Sequence, residues 1–145
     1  MPRSSKKVRL EVEPEVDDGP TLAELVAVSQ VDFELSFFGR ILERHPNFVE
    51  GLRCHASNLV AKKRYHDSLQ VERRIVQIRP RDSLAHYNLA CSHALLRQPE
   101  QAFAYLRKAL ELGYHDIRYI LQDRDLDSIR KDPRFRKLLN EFENR

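Results

Sequence analysis

Apolar residues along most of this chain recur at intervals of three and four positions, the spacing that places them on one face of an α-helix. One such run ends at Pro46, and its apolar residues share a single helical face: Phe33, Phe37, Phe38, Ile41 and Leu42. Because the residue before a proline avoids the helical region, this helix is predicted to end at His45. A separate short helix is predicted over residues 20–30, with Pro20 near its start.

The first nineteen residues lack this periodicity and contain Pro2, Pro14 and Gly19. Residues 1–19 are therefore predicted to be a disordered tail, basic at first and acidic afterwards. Its acidic part, residues 11–18, could fold back onto a basic face or a groove of the folded part and compete with a ligand there.

After Pro46 the helical pattern repeats, because Pro46 and Pro80 each close a helix and lie 34 positions apart. The two stretches that follow them align without gaps, so that Ala56 matches Ala90. The pattern predicts two helix pairs, each divided by a short polar break: 49–62 with 66–79, and 83–96 with 99–112. Gly113 is well placed to end the last of these helices.

A helix pair repeated every 34 residues resembles the tetratricopeptide repeat. The second pair carries the residues of that family at most of their positions: Ala85, Tyr87, Asn88, Leu89, Ala90, Ala102, Ala109, Leu110 and Leu112. Ala90 and Ala102 are small where the two helices of a hairpin cross, because close approach excludes larger side chains. The first pair departs from the family at Ser68 and Glu72. The resemblance implies an all-α fold, an α-solenoid of antiparallel helix hairpins that form a right-handed superhelix.

The resemblance also implies how the chain is organised. A helical domain over 20–145 would comprise a degenerate repeat, two repeats and a C-terminal cap: 20–48, 49–82, 83–116 and 117–145. The end of the chain resembles that of small bacterial proteins of this kind, with Asp132-Pro133-Arg134-Phe135 before an apolar stripe. Asp132 suits a helix N-cap and Pro133 a first helical residue.

In this family the first helix of each hairpin lines a concave groove that binds partner proteins or peptides. The resemblance places ten residues in that groove: Glu50, Arg53, Ser57, Leu84, Tyr87, Asn88, Cys91, Leu95, Arg118 and Gln122. Val60 and Ala61 would lie beside them. Some members hold the C-terminal carboxylate of a peptide in a clamp of basic and asparagine side chains. Arg53, Asn88 and Arg118 occupy three such positions, which implies a protein or peptide partner that is acidic or ends in a free carboxylate.

Sequence motifs for catalysis are missing, so no enzyme and no cofactor are predicted. His86, Cys91 and His93 share one helix, but the two histidines lie about 10 Å apart along its axis, and no metal site is predicted. The alternating acids Asp123 and Asp125 hint at a calcium loop, yet glycine and glutamate are missing where that loop requires them. Two cysteines, no secretory signal and no membrane span lead to the prediction of a cytoplasmic protein.

Charge leaves two further functions open. The net charge is +3, and residues 40–81 carry ten Lys and Arg against four acids. A weak nucleic-acid binder could use the basic stretch 62–81, although it lacks interleaved aromatic residues, so nucleic acid is not favoured. The N-terminal helices, rich in phenylalanine, could instead mediate self-association or docking to a larger complex, making a homo-oligomer or a scaffold subunit.

Overall fold

The computed structural model describes residues 19–145, without the side chains of residues 28 and 29, and this part of the chain is helical and contains no strand. Eight α-helices and one 3-10 helix follow one another: α1 Leu22–Arg44, α2 Val49–Ala61, α3 Tyr65–Ile78, α4 Ser83–Leu95, α5 Pro99–Glu111, α6 Ile117–Gln122, the 3-10 helix Arg124–Leu126, α7 Asp127–Arg130 and α8 Pro133–Glu143. The predicted disorder of residues 1–19 lies, Gly19 apart, outside the described residues. Among the described helices, none has the length and apolar character needed to cross a bilayer.

Helix α1 is continuous, so the prediction of a short helix over residues 20–30 followed by a separate helix that ends at His45 was wrong. It starts in a capping box in which Thr21 Oγ1 accepts from the Glu24 backbone N–H at 3.2 Å and the Glu24 carboxylate accepts from the Thr21 backbone N–H at 2.7 Å. The predicted break falls where the Gln30 amide donates to Glu34 at 3.0 Å, one helical turn away. No proline or glycine lies between Thr21 and Phe38, so the chain continues through the predicted break, and the predicted degenerate repeat holds one long helix rather than a hairpin.

The two central hairpins, α2–α3 and α4–α5, begin and end within one residue of the predicted bounds. Ala90 and Ala102 are fully buried between α4 and α5, as expected for a close helix crossing. Ser68 occupies the position where the family has alanine, and its buried hydroxyl donates to the Ala56 backbone carbonyl at 3.2 Å. This hydrogen bond satisfies a polar group that would otherwise be costly to bury.

Each hairpin turn contains a residue with left-handed backbone geometry, at equivalent positions in the two repeats. Lys63 has φ of 58° and Arg97 has φ of 56°. In both turns the next residue donates back to a carbonyl in the last helical turn, from Arg64 N to Leu59 O at 2.8 Å and from Gln98 N to His93 O at 2.9 Å. This is the Schellman arrangement that ends many helices. Gly113, with φ of 100°, ends α5 in the same way.

The segment after α5 covers the last hairpin. The side chains of Ile120, Leu126 and Ile129 are at most 1% exposed, and they join the core around α4 and α5. Helix α8 begins at an N-cap in which the Asp132 carboxylate accepts from the Arg134 backbone N–H at 2.9 Å. It buries an apolar face that includes Phe135 against this core. A covered end of this kind keeps the apolar face of the last hairpin away from water.

The left-handed turn residues give a test of backbone strain. Arg97 is exposed, and a residue with a Cβ in this conformation is strained by about 1 kcal/mol. We expect Arg97→Gly to raise the free energy of unfolding by about 0.5–1 kcal/mol, and Gly113→Ala to lower it by about 1 kcal/mol, measured by urea denaturation. Arg97→Ala is the control, since it removes the same charge and keeps the strain. An equal gain in Arg97→Ala and Arg97→Gly would show that backbone geometry is not the cause.

Candidate functional site

A cavity of about 390 Å³ opens between α2, α4 and the segment from Tyr114 to Asp125. Seven of the ten predicted groove residues line it: Arg53, Ser57, Leu84, Tyr87, Asn88, Cys91 and Leu95. Val60, which was placed beside them, lines it as well. The helical repeat explains this convergence, because the first helices of two successive hairpins turn the same face toward one space. Whether these residues bind a partner stays a prediction.

The three other predicted groove residues, and Ala61 beside them, do not line the cavity. Glu50 is exposed at the start of α2, where its carboxylate lies 3.5 Å from the Arg79 guanidinium. Arg118 and Gln122 are exposed on α6, one helical turn apart. This short helix buries Ile120 and turns Tyr119 toward the cavity, so that the opposite side of α6 carries Arg118 and Gln122 into solvent.

The carboxylate clamp implied by the family resemblance is not assembled. Arg53 is half-buried, and its guanidinium pairs with the Asp82 carboxylate. The same carboxylate caps α4 by accepting from the Ala85 backbone N–H at 3.0 Å. Arg53 lines the cavity but pairs with Asp82, and Arg118 lies outside the cavity. Asn88 is therefore the one member of the predicted clamp that lines the cavity without being engaged by another described side chain.

Four residues that the sequence interpretation did not assign to the groove form the opposite wall: Tyr114, Tyr119, Asp123 and Asp125. Glu72 of α3, also unassigned, lines another side of the cavity. The alternating acids were visible in the sequence, where they were weighed only as a calcium loop. Tyr114 lies where the family has its closing proline. This departure was visible in the sequence, but the sequence did not show that the Tyr114 ring stacks on Tyr87.

Tyr87 joins this wall to the core. Its ring is 2% exposed and stacks on that of Tyr114, with centroids 4.3 Å apart and planes inclined by 8°. Its hydroxyl donates to Asp123 Oδ2 at 2.6 Å, and the Cys91 thiol lies 3.7 Å from the same oxygen. The Tyr119 ring lies 6.1 Å from that of Tyr87 at an angle of 57°. Aromatic faces and a carboxylate therefore border one space.

Arg130 fixes the segment that carries the acids. Its guanidinium donates to the backbone carbonyls of Ile120, at 3.3 Å, and of Leu121 and Asp123. The carbonyls of Ile120 and Leu121 belong to the last turn of α6, where helical partners run out. The Asp123 carbonyl also accepts from the Leu126 backbone N–H at 3.2 Å. Asp123 in turn accepts from the Asp125 backbone N–H at 3.0 Å through its Oδ1 atom and starts the 3-10 helix. These hydrogen bonds to the backbone fix the position of the segment that carries Asp123 and Asp125.

The electrostatics of this wall are uniformly negative. Burial, followed by the Asp123 carboxylate, raises the pKa of the Cys91 thiol well above its ordinary value. Burial also raises the pKa of Tyr114, to about 12, and the nearby Asp123 raises that of Tyr119. Burial and then Asp123 raise the pKa of Asp125. At neutral pH the phenols and the thiol are neutral, and the carboxylates carry the charge of this wall.

Glu72 is a buried acid on the side of the cavity formed by α3. It is 4% exposed, and its Oε2 atom has no hydrogen-bond partner among the described residues. Burial raises its pKa to about 7, with Arg53 lowering it and Asp82 raising it. Glu72 is therefore close to half-protonated at neutral pH.

The candidate metal ligands of α4 separate in the structure. His86 Nε2 lies 2.8 Å from the Pro80 carbonyl, and His93 Nδ1 lies 2.7 Å from the Gln98 amide oxygen. Both rings face Tyr105 of α5, away from the cavity. Cys91 instead meets two acids, since one ligand atom from each of Cys91, Asp123 and Asp125 lies within 4.8 Å of the others. This grouping offers negative charge to a cation.

Comparisons with known proteins support the fold. No protein-family model matches the chain. The chain is 30% identical over 104 residues to a chloroplastic protein of Arabidopsis thaliana. That match covers 70% of this chain and 30% of the Arabidopsis protein, so the chain spans less than a third of the relative's length.

Two solved structures of MamA, a protein with a tetratricopeptide-like helical repeat, are similar to this chain. A MamA RS-1 double mutant superposes with a TM-score of 0.66 at 21% identity, covering 84% of this chain and 69% of that one. MamA 41-end from Desulfovibrio magneticus RS-1 gives a TM-score of 0.66 at 20% identity, covering 84% and 68%. The fold is therefore an all-α, tetratricopeptide-like solenoid, as predicted.

The raised pKa of Glu72 predicts that stability falls as pH rises. Its pKa, about 7 in the folded chain and near 4.5 when unfolded, means that the folded state binds the extra proton between these values. Ionisation above them disfavours the folded state. We expect the free energy of unfolding to drop by roughly 2–3 kcal/mol between about pH 5 and pH 8 from this group, measured by urea denaturation.

Glu72→Gln is the matched variant, because it keeps the shape of the side chain and removes the ionisation. Its stability should lack this pH-dependent drop, while the other groups near Glu72, Arg53 and Asp82, keep their charges. Identical pH profiles for the two proteins would contradict the burial argument.

Proposed function

We propose that this chain is a non-catalytic protein-protein interaction module that binds a peptide segment of a partner in the cavity between α2, α4 and the Tyr114–Asp125 segment. The observation that carries this proposal is the cavity itself, formed by the first helices of two successive hairpins and closed on its third side by the C-terminal segment. A tetratricopeptide-like solenoid presents such a surface as a consequence of its repeat.

The cavity offers the contacts that a peptide needs. Leu84 is 43% exposed and Tyr119 is 52% exposed, so apolar surface is open to a partner at both sides of the entrance. Asn88, which lines the space between them, brings an amide that can both donate and accept a hydrogen bond. Rigid helices carry Leu84 and Asn88, which lowers the entropic cost of binding.

The proposal of a non-catalytic role rests on the state of the reactive side chains. Cys91 is buried and its thiol stays protonated, because burial and Asp123 both raise its pKa, and a protonated thiol is a poor nucleophile. His86 and His93, which could act as bases, face α5 instead of the cavity.

Peptide selection tests the proposed function. A randomised library of short peptides displayed on phage is selected on the full chain, and the enriched peptides are measured by fluorescence polarisation. Ser57 is exposed and lines the cavity, so we expect Ser57→Trp to fill part of it and to weaken these peptides by about tenfold or more.

Gln101→Trp is the control, since Gln101 is exposed on α5 and is not part of the cavity wall. It should leave the affinity unchanged. A library that yields no enriched peptide, or peptides that bind the wild type and Ser57→Trp equally, would contradict the proposed function.

Helix α1 supports a second candidate function, self-association of two copies. Phe33 is 67% and Phe37 is 46% exposed, and their rings stack with centroids 5.9 Å apart on the face that α2 leaves uncovered. An antiparallel pair of α1 helices around a two-fold axis would bring the exposed phenylalanines of the two copies together.

This second candidate predicts a dimer that depends on the exposed rings. Light scattering coupled to gel filtration at high micromolar concentration should give about twice the chain mass of 17.1 kDa. Phe33→Glu combined with Phe37→Glu should return the protein to the monomer mass, since it buries charge in the apolar contact. Gln101→Glu, a similar change on α5, should remain dimeric. A monomeric wild type would exclude this function.

The structure favours nucleic-acid binding less than these two functions. Several cations of the basic stretch 62–81 are engaged within the protein. Lys62 lies 2.9 Å from Asp32, Arg64 lies 2.8 Å from Asp67, and Arg79 pairs with Glu50. These pairs reduce the positive field available to a phosphate backbone.

A further inference from the structure

The charge of the cavity is opposite in sign to the charge of the chain. Three acids line it, Glu72, Asp123 and Asp125, whereas Arg53 is the single cation among the described lining residues. Arg53 is paired with Asp82 through its Nη2 atom, which compensates its charge, while its Nη1 atom is buried and has no hydrogen-bond partner among the described residues. A chain with a net charge of +3 therefore keeps a negatively charged interior surface.

Two of the lining carboxylates have acceptor atoms to spare. The Asp125 carboxylate accepts no hydrogen bond from any residue in the described part of the chain, whereas Asp123 accepts from the Tyr87 hydroxyl, the Cys91 thiol and the Asp125 backbone N–H. Independently, Glu72 is 4% exposed on the side of the cavity that α3 forms, and its Oε2 atom lacks a partner among the described residues. Buried acceptors without donors are costly, and a ligand with several N–H groups would satisfy them.

Aromatic rings stand beside these carboxylates. Tyr114 and Tyr119 line the cavity together with Asp123 and Asp125, and the Tyr119 ring is half exposed. Burial raises the pKa of Tyr114 and the nearby Asp123 raises the pKa of Tyr119, so both phenols are neutral. A cation over the face of a neutral tyrosine ring is stabilised by the ring quadrupole, and carboxylates at its rim add charge-assisted hydrogen bonds.

We propose that the cavity recognises a basic side chain, lysine or arginine, of the partner peptide, with its charged group held between Asp123, Asp125 and the ring of Tyr119. This proposal rests on the proposed function, because it names the chemistry of the peptide that the cavity takes. It differs from the acidic or carboxylate-ended partner that the family resemblance implied, since an anion would meet the carboxylates of Asp123 and Asp125 and a guanidinium that already pairs with Asp82.

A divalent metal ion is the other cation that Cys91, Asp123 and Asp125 could meet. The geometry favours an organic cation, because the thiol is buried and protonated, and because Asp123 already accepts three hydrogen bonds. A metal ion would need the thiolate or additional carboxylate oxygens as ligands. A chelator distinguishes the two kinds of ligand in the experiment, because it removes a metal ion and leaves a basic side chain in place.

The test uses the peptides enriched on the wild-type chain. The proposal expects lysine or arginine at one fixed position of these peptides, and a loss of about tenfold in affinity when that residue is replaced by norleucine. Asp125→Asn should weaken the basic peptide by a similar factor and leave the norleucine peptide unchanged. Glu111→Gln is the control, because it makes the same change in net charge at an exposed position of α5.

The Tyr119 ring gives a second, independent readout. Tyr119→Phe keeps the aromatic face and should bind the basic peptide as the wild type does, whereas Tyr119→Ala should weaken it several-fold. Peptides that bind the cavity without an enriched basic residue, or that bind equally to Asp125→Asn, would overturn this proposal while leaving the proposed function intact. Binding that disappears on addition of EDTA would overturn it in favour of a metal site. Failure of the selection itself would remove both.

Discussion

The hydrogen bond from Tyr87 to Asp123 is the contact at which the packing of the repeat meets the chemistry of the cavity. Tyr87 belongs to the core around α4 and α5, yet its hydroxyl reaches an acid 36 positions further along the chain. A buried hydroxyl requires a partner, so the C-terminal segment must place Asp123 against α4 for the core to be satisfied. Once Asp123 is placed, Asp125 and Tyr119 are held beside it, and the third wall of the cavity follows.

The central hairpins could be predicted from the sequence because their determinants are local and periodic. Alanines at the tight crossing, prolines that close helices and the 34-residue spacing define α2 to α5 almost to the residue. Helix α1 was misjudged because its amphipathic pattern was divided at a polar stretch, whereas i,i+4 hydrogen bonding across Gln30 and Glu34 carries the helix through.

The candidate site could be predicted only where the repeat determines it. The inner positions of α2 and α4 follow from helical phase, and the residues there do line one cavity. The opposite wall depends on a short, irregular segment whose path is determined by contacts that no period describes, such as Arg130 binding the carbonyls that end α6. The negative charge of the cavity could not be predicted from the sequence for the same reason. The basic residues cluster in the sequence, but Arg53 is the one that lines the cavity, while the acids converge there only in three dimensions.

The Asp82 carboxylate makes two interactions, one in each of the two central hairpins. It caps the first turn of α4 in the second hairpin and pairs with Arg53 of α2 in the first. Fraying of α4 at this end would therefore release a partly buried guanidinium in the neighbouring repeat, and the opening of one hairpin raises the free energy of the other. In a linear array, where each unit touches only its neighbours, such shared side chains set how far a local opening spreads. They make the two hairpins behave as one cooperative unit rather than as two segments that melt in turn.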